Sequence, residues 1–164
     1  MRFEAEIYTE RLGLRPVRWS DFRFVFRLLG NTSVRRCLGG AMAWRLRLSR
    51  FKKYLTAPHH IGLWLVYLTK TNQPIGLVML GPHADGTDYE ISYQFDPAYW
   101  GKGLASEAIS TVIEHALQGN GFKRVIAETQ SANLASCNLL RKQGMREICR
   151  IQRFGDEQII FATL

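Results

Sequence analysis

The sequence predicts an α/β fold of the layered α+β type, with a mixed, mostly antiparallel central sheet. Three observations predict it. The hydrophobic spacing changes repeatedly between the period of a helix and the period of a strand. Strand-like apolar runs, separated by turn residues, follow one another in the middle of the chain. The 164 residues are 46% hydrophobic and 22% charged, which fits one domain over residues 1–164 with its own core.

The first third of the chain predicts one strand and then two helices. Apolar and basic residues alternate over 11–18, which indicates a strand that ends near Pro16. Ser20-Asp21 provides a cap for a helix that Gly30-Asn31 ends. A second helix, basic and amphipathic, is predicted over 44–55.

The middle of the chain predicts an antiparallel meander. Short apolar or alternating runs over 63–68, 75–80 and 89–95 are typical of strands. The segments between them, 69–74 and 82–87, carry turn residues, and Asp85-Gly86 gives the second turn its strongest indication.

The last third alternates again between helices and strands. After Pro97 the apolar residues take helical spacing, and this helix ends at 119–121. A strand is predicted over 123–130 and a helix over 133–143, ended by Gly144. A final hairpin is predicted over 146–164, with its turn at Gly155-Asp156.

The charge is strongly basic. Lysine and arginine number 22 against 14 acidic residues, a net charge of +8. Such a balance favours acidic partners, such as phosphates, nucleic acid or an anionic surface, without choosing among them. The alternative is that the basic residues form a helix face exposed to solvent. Much of the excess is concentrated early in the chain, at Arg35, Arg36, Arg45, Arg47, Arg50, Lys52 and Lys53.

Several classes of protein are disfavoured. The three cysteines, Cys37, Cys137 and Cys149, are widely spaced and contain no Cys-x-x-Cys pair, which argues against a disulfide framework or a metal site. No apolar run approaches the ~18 residues that a membrane span needs. Residues 1–6 contain no apolar signal core. We therefore expect free thiols in a reducing, cytoplasmic setting, without a membrane partner.

The segment over 95–108 carries the clearest chemistry. Its Gly101-Lys102-Gly103 joins a predicted strand to a predicted helix. Free N–H groups at a helix start, together with the helix dipole, favour a phosphate, and Lys102 can add a countercharge. The pattern is neither the Gly-x-Gly-x-x-Gly of dinucleotide sites nor the Gly-Lys-Ser/Thr of the Walker loop. The plain alternative is a glycine-rich turn into a helix.

This segment resembles a known family. Trp100-Gly101-Lys102-Gly103-Leu104-Ala105 is similar to the pyrophosphate loop of the GNAT acetyltransferases, Gln/Arg-x-x-Gly-x-Gly/Ala, with Trp100 in place of Gln/Arg. With Tyr99 and Glu107-Ala108 it resembles the Rim-type branch, which acetylates N-termini of ribosomal proteins and has relatives that act on small amines. Four further segments resemble that branch in the expected order, so that nearly the whole chain is covered: 9–16, 74–76, 90–93 and 133–145.

The resemblance implies a fold and a co-substrate. GNAT enzymes have helices on both faces of the sheet and splay their fourth and fifth strands, here 89–95 and 123–130, and acetyl-CoA enters that wedge. The backbone of Phe95, Asp96 and Pro97 would hold the pantetheine and acetyl group. Asn133 matches an asparagine that contacts the cofactor. Asn138, Arg141 and Lys142 either face its phosphates or lie on an exposed helix face. The pyrophosphate would bind to the amides of Gly101, Lys102, Gly103, Leu104, Ala105 and Ser106.

The resemblance also implies catalytic residues. Glu90 stands where many GNAT enzymes keep a base that works through water, and burial would raise its pKa. The alternative is a carboxylate that positions substrate or stabilises the fold. The tyrosine acid of many relatives is absent, because its position is Leu140. Ser136 matches a Rim-type serine that either protonates the thiolate or only caps the helix and contacts CoA.

Two functions follow from these expectations. The first is transfer of acetyl from acetyl-CoA to a primary amine by direct attack, in a bacterial enzyme that needs no nucleic acid. The amine would belong to a protein N-terminus, such as that of a ribosomal protein, or to a small molecule. The second is a non-catalytic basic module that binds RNA or the ribosome, with acyl-CoA as a regulatory ligand. Monomer and homodimer stay open.

Overall fold

The computed structural model describes residues 6–84, 86, 88–119 and 121–163. These residues form an eight-stranded sheet in the order β1-β2-β3-β4-β5-β6-β8-β7. Neighbouring strands are antiparallel except β5 and β6, which are parallel. The strands are β1 (Ile7–Tyr8), β2 (Leu12–Pro16), β3 (Gly62–Leu68), β4 (Pro74–Pro82), β5 (Tyr89–Phe95), β6 (Val125–Gln130), β7 (Arg146–Arg153) and β8 (Asp156–Ala162).

Helices cover both faces of the sheet, as expected. Apolar side chains of α1 and α3 pack on one face, against Leu63, Leu65 and Leu77. Those of α4 and α5 pack on the other, against alternate residues of the central strands. Because side chains of a strand alternate between faces, each face of the sheet has a core of its own. The helices are α1 (Phe22–Gly30), α2 (Thr32–Arg35), α3 (Trp44–Leu55), α4 (Leu104–Glu114) and α5 (Leu134–Lys142).

The wedge predicted between the family's fourth and fifth strands is present between β5 and β6. These strands pair only at Tyr89 with Val125 and at Glu90 with Ile126. On its other side β5 stays paired with β4 along its whole length, from Tyr89 to Phe95. The strands therefore diverge within β5, and the second half of β5 has a free edge.

Three differences from the predicted elements have simple causes. Strand β1 and helix α2 were not predicted, because two and four residues are too short to show a period. The last turn lies one residue earlier than predicted, because Arg153 pairs with Asp156. Phe154 and Gly155 both have positive φ, 58° and 87°, as a two-residue hairpin turn requires.

Some predicted features fall outside the described residues. These are the N-terminal segment Met1–Ala5, Asp85 and Thr87 of the predicted turn, Asn120 of the predicted helix stop and Leu164. Around the turn, the backbone N–H of His83 donates to the carbonyl of Asp88 at 2.9 Å, which continues the β4–β5 hairpin. Helix α4 continues as a π-helical turn, His115–Gly119. None of the described helices is long and apolar enough to cross a membrane.

Candidate active site

The free edge of β5 offers backbone groups to an extended ligand. The N–H of Asp96 donates to the carbonyl of Ile75 in β4 at 2.9 Å. Along a strand the backbone N–H and C=O groups of successive residues point alternately to its two neighbours, so this bond shows which residues of β5 face β4. Tyr93 and Phe95 therefore direct their backbone groups toward β6, where no strand is paired with them. A ligand chain can add to such an edge as a further strand would.

Trp100 closes the end of this edge. Its indole Nε1 donates to the carbonyl of Phe95 at 2.8 Å, while its backbone N–H donates to the carbonyl of Pro97 at 3.1 Å. The residue that departs from the Gln/Arg of the family motif thus ties the glycine loop to β5. Of the backbone groups expected to hold pantetheine, the Phe95 carbonyl and the Asp96 amide are already engaged within the protein.

The glycine loop and the first turn of α4 form a cradle of free amides. Gly101 and Gly103 take positive φ, 72° and 76°, a conformation that favours glycine. None of the backbone N–H groups from Gly101 to Ser106 donates a hydrogen bond to a described residue. A Cβ at Gly101 would meet no atom within 4 Å. The cradle is therefore open, and its amides and the helix dipole suit an anion.

A partly exposed ion pair holds the start of α4 against the segment that precedes β2. The carboxylate of Glu107 accepts from the hydroxyl of Thr9 at 2.5 Å and from Nε of Arg11 at 2.7 Å. Arg11 also donates to the carbonyl of Lys102 at 3.2 Å. Burial opposes ionisation of Glu107, but these hydrogen bonds outweigh it and hold the pKa of Glu107 below its usual value. Arg11 and Glu107 thus fix the loop that carries the cradle.

The side chains predicted around the loop have other partners in this structure. Asp96 caps the following turn through the N–H of Ala98 at 3.1 Å and pairs with Arg27 of α1 at 3.0 Å. Lys102 folds back, so that its Nζ donates to the carbonyl of Ala98 at 2.8 Å. The side chain of Lys102 is exposed, and its role as a countercharge to a bound phosphate stays a prediction.

Helix α5 brings its first residues to the face of β5 that carries Tyr93. Asn133 caps the helix by accepting from the N–H of Ser136 at 3.3 Å. The hydroxyl of Ser136 lies 2.6 Å from the hydroxyl of Tyr93. Burial raises the pKa of Tyr93 to about 12, so this phenol stays protonated at neutral pH. A protonated hydroxyl pair therefore spans the wedge from β5 to α5.

The remaining predicted cofactor residues lie along α4 and α5. Ser106 accepts from Nε2 of Gln143 at 2.5 Å, which ties the two helices together next to the cradle. Asn138 is exposed and accepts from Arg141 at 3.3 Å. Lys142 is exposed and makes no hydrogen bond or ion pair with a described residue, so its charge is available. Leu104 is buried and fixes the first turn of α4 in the core.

Glu90 lies at the point where β5 and β6 diverge. The backbone N–H of Glu128, on β6, lies near enough to the carboxylate of Glu90 to oppose slightly the rise in its pKa. Burial raises the pKa of Glu90 above its usual value, and the nearby Glu128 adds to this while His83 opposes it. A carboxylate with a raised pKa at the mouth of the wedge is suited to accept a proton.

A buried polar network stands behind Glu90. Nε2 of His83 lies 3.0 Å from a carboxylate oxygen of Glu128, and Nη1 of Arg153 donates to the same oxygen at 2.8 Å. All of these groups are largely buried, and Oε1 of Glu128 has no hydrogen-bond partner among the described residues. Glu128 and Arg153 were not predicted, because their contacts join distant strands through the sheet register.

The two catalytic candidates lie on opposite faces of β5. Glu90 and Tyr93 are three positions apart on the strand, so their side chains point to different sides of the sheet. Ser92 and Gln94 share the face of Glu90 and line a cavity under α2 and α3. A reacting group seated at the free edge between Glu90 and Tyr93 would have a proton acceptor on one side and a donor on the other. The described residues contain no cluster suited to a metal ion.

Glu90, Ser136 and the loop were predicted as site residues and stay predictions, whereas Tyr93, whose hydroxyl lies beside that of Ser136, was not among the predicted residues. The resemblance places a tyrosine acid at the position of Leu140, on α5, and that side chain is buried in the core. In this structure a tyrosine hydroxyl on β5, that of Tyr93, lies beside Ser136. Alternation along β5 was the one available indication, because it sets Tyr93 on the face opposite Glu90.

Curated proteins resemble the chain over most of its length. An uncharacterized N-acetyltransferase of Bacillus subtilis (strain 168), YnaD, is 26% identical over 140 residues, which are 85% of this chain and 82% of that protein. Another from the same organism, YoaA, is 29% identical over 146 residues, 85% of this chain and 81% of that protein.

Solved structures share the fold. A GNAT-family acetyltransferase from Bacillus anthracis superposes with a TM-score of 0.86 at 24% identity, covering 98% of each chain. RimL, a ribosomal-protein alpha-N-acetyltransferase in complex with coenzyme A, gives 0.82 at 15% identity, covering 98% of each chain. Spermidine N-acetyltransferase from Vibrio cholerae, in complex with CoA and spermine, gives 0.79 at 16% identity, covering 94% of this chain and 96% of that one.

The family profile described as "Acetyltransferase (GNAT) domain" matches residues 11–146, from the start of β2 to the start of β7. That span includes the wedge, the amide cradle, Glu90, Tyr93 and Ser136. Structures of this domain bind acetyl-CoA or CoA as co-substrate. With most of its length matched and the splayed sheet in place, the chain belongs to the GNAT acetyltransferase family.

Proposed function

We propose that the chain acetylates a primary amine by direct attack on acetyl-CoA, with Glu90 as proton acceptor and the Tyr93–Ser136 pair as proton donor. One observation carries the proposal: the free edge of β5 has the raised-pKa carboxylate on one side and the protonated hydroxyl pair on the other. The amide cradle beyond the same edge supports a site for the pyrophosphate of the co-substrate.

Bound acetyl-CoA supplies the thioester carbon that the amine nitrogen attacks: the C–N bond forms, the C–S bond breaks, and CoA leaves as the thiol. Glu90 takes the proton that the nitrogen gives up, directly or through water. The hydroxyl pair of Tyr93 and Ser136 gives a proton to the departing sulfur and regains one from solvent. Holding the two reactants at the wedge supplies much of the rate, because it replaces a chance encounter by a fixed geometry.

The roles of the cofactor-binding residues follow from their places. The N–H groups of Gly101 through Ser106 bind the pyrophosphate, and Lys102 and Lys142 add charge from either side. Asn133 and Asn138 contact the cofactor from α5. The N–H of Phe95 and the backbone of Tyr93 bind the pantetheine along the free edge. The resemblance to the Rim-type branch supports a protein N-terminus or a small amine as the acceptor.

The test begins with the cofactor. Calorimetric titration with acetyl-CoA and with CoA is expected to give micromolar affinity, about −8 kcal/mol. Release of the CoA thiol is then measured with N-terminal peptides, polyamines, amino sugars and amino acids as acceptors. Turnover with any of them supports the proposal. Folded protein that gives no heat with either nucleotide at several temperatures would contradict it.

The alternative of a basic RNA- or ribosome-binding module is not favoured by the family match. Its support is the net charge of +8 and the aromatic residues among the early arginines. That alternative predicts RNA binding that weakens steeply with salt, and no turnover.

A further inference from the structure

A small cavity lies on the acceptor side of the sheet, beside the free part of β5. Its volume is about 120 Å³. Helices α2 and α3 form its roof, and strands β3, β4 and β5 form its floor. No acidic residue is among the described residues that line it. The lining residues are Arg35, Arg50, Tyr54, Leu63, Leu77, Met79, Ser92, Tyr93 and Gln94.

Arg35 is held in place by uncharged groups. Its Nε donates to the carbonyl of Gly40 at 2.7 Å, and its Nη2 donates to the carbonyl of Leu38. Its Nη1 lies 3.5 Å from the side-chain oxygen of Gln94. Burial lowers the pKa of Arg35, and the charge of Arg50 lowers it further. The guanidinium is held by these contacts and is half-buried, and no carboxylate among the described residues pairs with it.

Arg50 adds a second unpaired charge. It precedes Tyr54 by four residues on α3, so both side chains lie on the face that covers the cavity. Arg50 forms no ion pair with a described carboxylate, unlike Arg15 and Arg27, which pair with Asp21 and Asp96. Two guanidinium groups without an acid favour an anion between them and disfavour a polycation.

The dimensions limit the guest to a small group. A cavity of about 120 Å³ is well below the ~300–1,000 Å³ that holds a drug-sized ligand, so it fits a carboxylate and a few carbons. Ser92, on its floor, follows Glu90 by two residues on the same face of β5, which is a distance of about 7 Å. An amine near Glu90 and a carboxylate in the cavity are therefore separated by only a few bonds.

We propose that the acceptor is a small amine that carries a carboxylate, of the size of an amino acid. Its carboxylate binds to Arg35 and Arg50, and its amine lies at the wedge beside Glu90. This inference rests on the proposed function, because it names the substrate class of the same site.

The first experiment compares matched acceptors. Glycine, β-alanine and γ-aminobutyrate are each tested against their carboxamides, with spermidine and an acidic N-terminal peptide in the same panel. We expect at least one acid to exceed its amide by tenfold or more in kcat/KM, with an optimum at one chain length. Amides that equal their acids, or a polyamine or peptide as the best acceptor, would overturn the inference while leaving acetyl transfer intact.

The second experiment removes one charge. Arg50→Gln is expected to raise KM for the preferred acid about tenfold and to leave the weaker activity on its amide within about twofold. Lys52→Gln is the matched control, because Lys52 is exposed on the same helix and lies about 200° around it from Arg50. Arg35→Lys keeps the positive charge but loses the planar guanidinium. Its KM for the preferred acid is expected to lie between those of Arg50→Gln and Lys52→Gln. If Arg50→Gln prefers the acid over its amide as strongly as the wild-type protein does, the inference is contradicted.

A third readout separates the two proposals. If no amine is acetylated, the proposed function fails, and binding alone decides the substrate class. Calorimetric titration of the CoA-saturated protein with γ-aminobutyrate and with its amide is then compared. Tighter binding of the acid, lost in Arg50→Gln and kept in Lys52→Gln, supports the carboxylate site. Equal or absent binding of the two overturns it.

Discussion

At the scale of single residues, the proposed role of Glu90 as proton acceptor predicts how the reaction rate depends on pH. Burial raises the pKa of its carboxyl, so protonation begins at a pH where an exposed glutamate is still ionised. A proton acceptor must be ionised to act, and we therefore expect kcat/KM to fall as pH falls through this raised pKa. The pH profile of kcat/KM, measured at saturating acetyl-CoA, shows this acid limb directly.

Glu90→Gln tests the assignment. We expect kcat to fall by about 10²- to 10⁴-fold and the acid limb to disappear, because the amide cannot accept the proton. Glu114→Gln, an exposed position on α4, is the control and should keep both rate and limb. Full turnover in Glu90→Gln would leave Glu90 a positioning residue only.

The Tyr93–Ser136 pair makes a different prediction. Because the two hydroxyls lie 2.6 Å apart, they act as one donor, and removing either should cost much of the effect of removing both. We expect Tyr93→Phe and Ser136→Ala each to lower kcat by ~10- to 100-fold, with the double variant close to the worse single one. Tyr99→Phe, on the neighbouring turn, serves as control. Fully multiplicative losses would mean that the two residues work independently.

The sequence predicts the positions of residues that belong to a short local motif. It does not predict residues whose contacts are with a partner far along the chain. The loop glycines and Ser136 belong to short motifs, so their places could be predicted. The roles suggested for Glu128 and Arg35 depend on contacts with residues far along the chain, which the sheet and helices α2 and α3 bring close. No spacing along the chain encodes those contacts.

At the scale of elements, the cradle depends on backbone conformation more than on side chains. We expect Gly101→Ala to destabilise the fold by about 1–2 kcal/mol, because alanine is strained at φ 72°. We also expect at least tenfold weaker binding of CoA, because the loop must shift to relieve that strain. Chemical denaturation and calorimetric titration measure the two effects.

Gly144→Ala is the matched control for Gly101→Ala. Gly144 has φ 77° and equally open space around a Cβ, but it follows α5 and its backbone is not part of the cradle. It should lose similar stability while keeping its affinity for CoA. Equal loss of affinity in both variants would mean that the effect is one of general stability.

Elements long enough to show a period were predicted close to their observed bounds, and the short ones were not. The helix predicted over 133–143 is observed as Leu134–Lys142, and the strand over 89–95 as Tyr89–Phe95. The final turn was shifted because glycine was expected at its start, whereas Phe154 takes the first positive-φ position. A bulky residue rarely does so, and the pairing of β7 with β8 imposes it.

At the scale of the whole molecule, the sheet separates the two proposed binding sites. The amide cradle and the hydroxyl pair lie with α4 and α5 on one side, and the arginine-lined cavity lies with α2 and α3 on the other. The two sides meet only where β5 and β6 diverge. Under the two proposals, a protein with a net charge of +8 uses basic groups at both ends of one reaction path, for phosphates at one end and for a carboxylate at the other.

Binding at the wedge joins elements from both halves of the sheet, so the co-substrate should stabilise the entire fold. At a concentration 100 times its Kd, acetyl-CoA is expected to add about 2.7 kcal/mol to the free energy of unfolding. For a chain of 164 residues this corresponds to a rise in Tm of ~5–11 °C, which a thermal melt measures.

The two glycine variants test whether the rise in Tm comes from binding at the cradle. CoA should stabilise nearly as well as acetyl-CoA, because both carry the pyrophosphate that the cradle binds. At the same ligand concentration, a Gly101→Ala variant with tenfold weaker affinity should gain only about 1.4 kcal/mol, roughly half of the wild-type shift. Gly144→Ala should keep the full gain above its lowered starting Tm. A wild-type protein whose Tm does not move with either nucleotide has no working cradle, and RNA would then be the next ligand to melt it with.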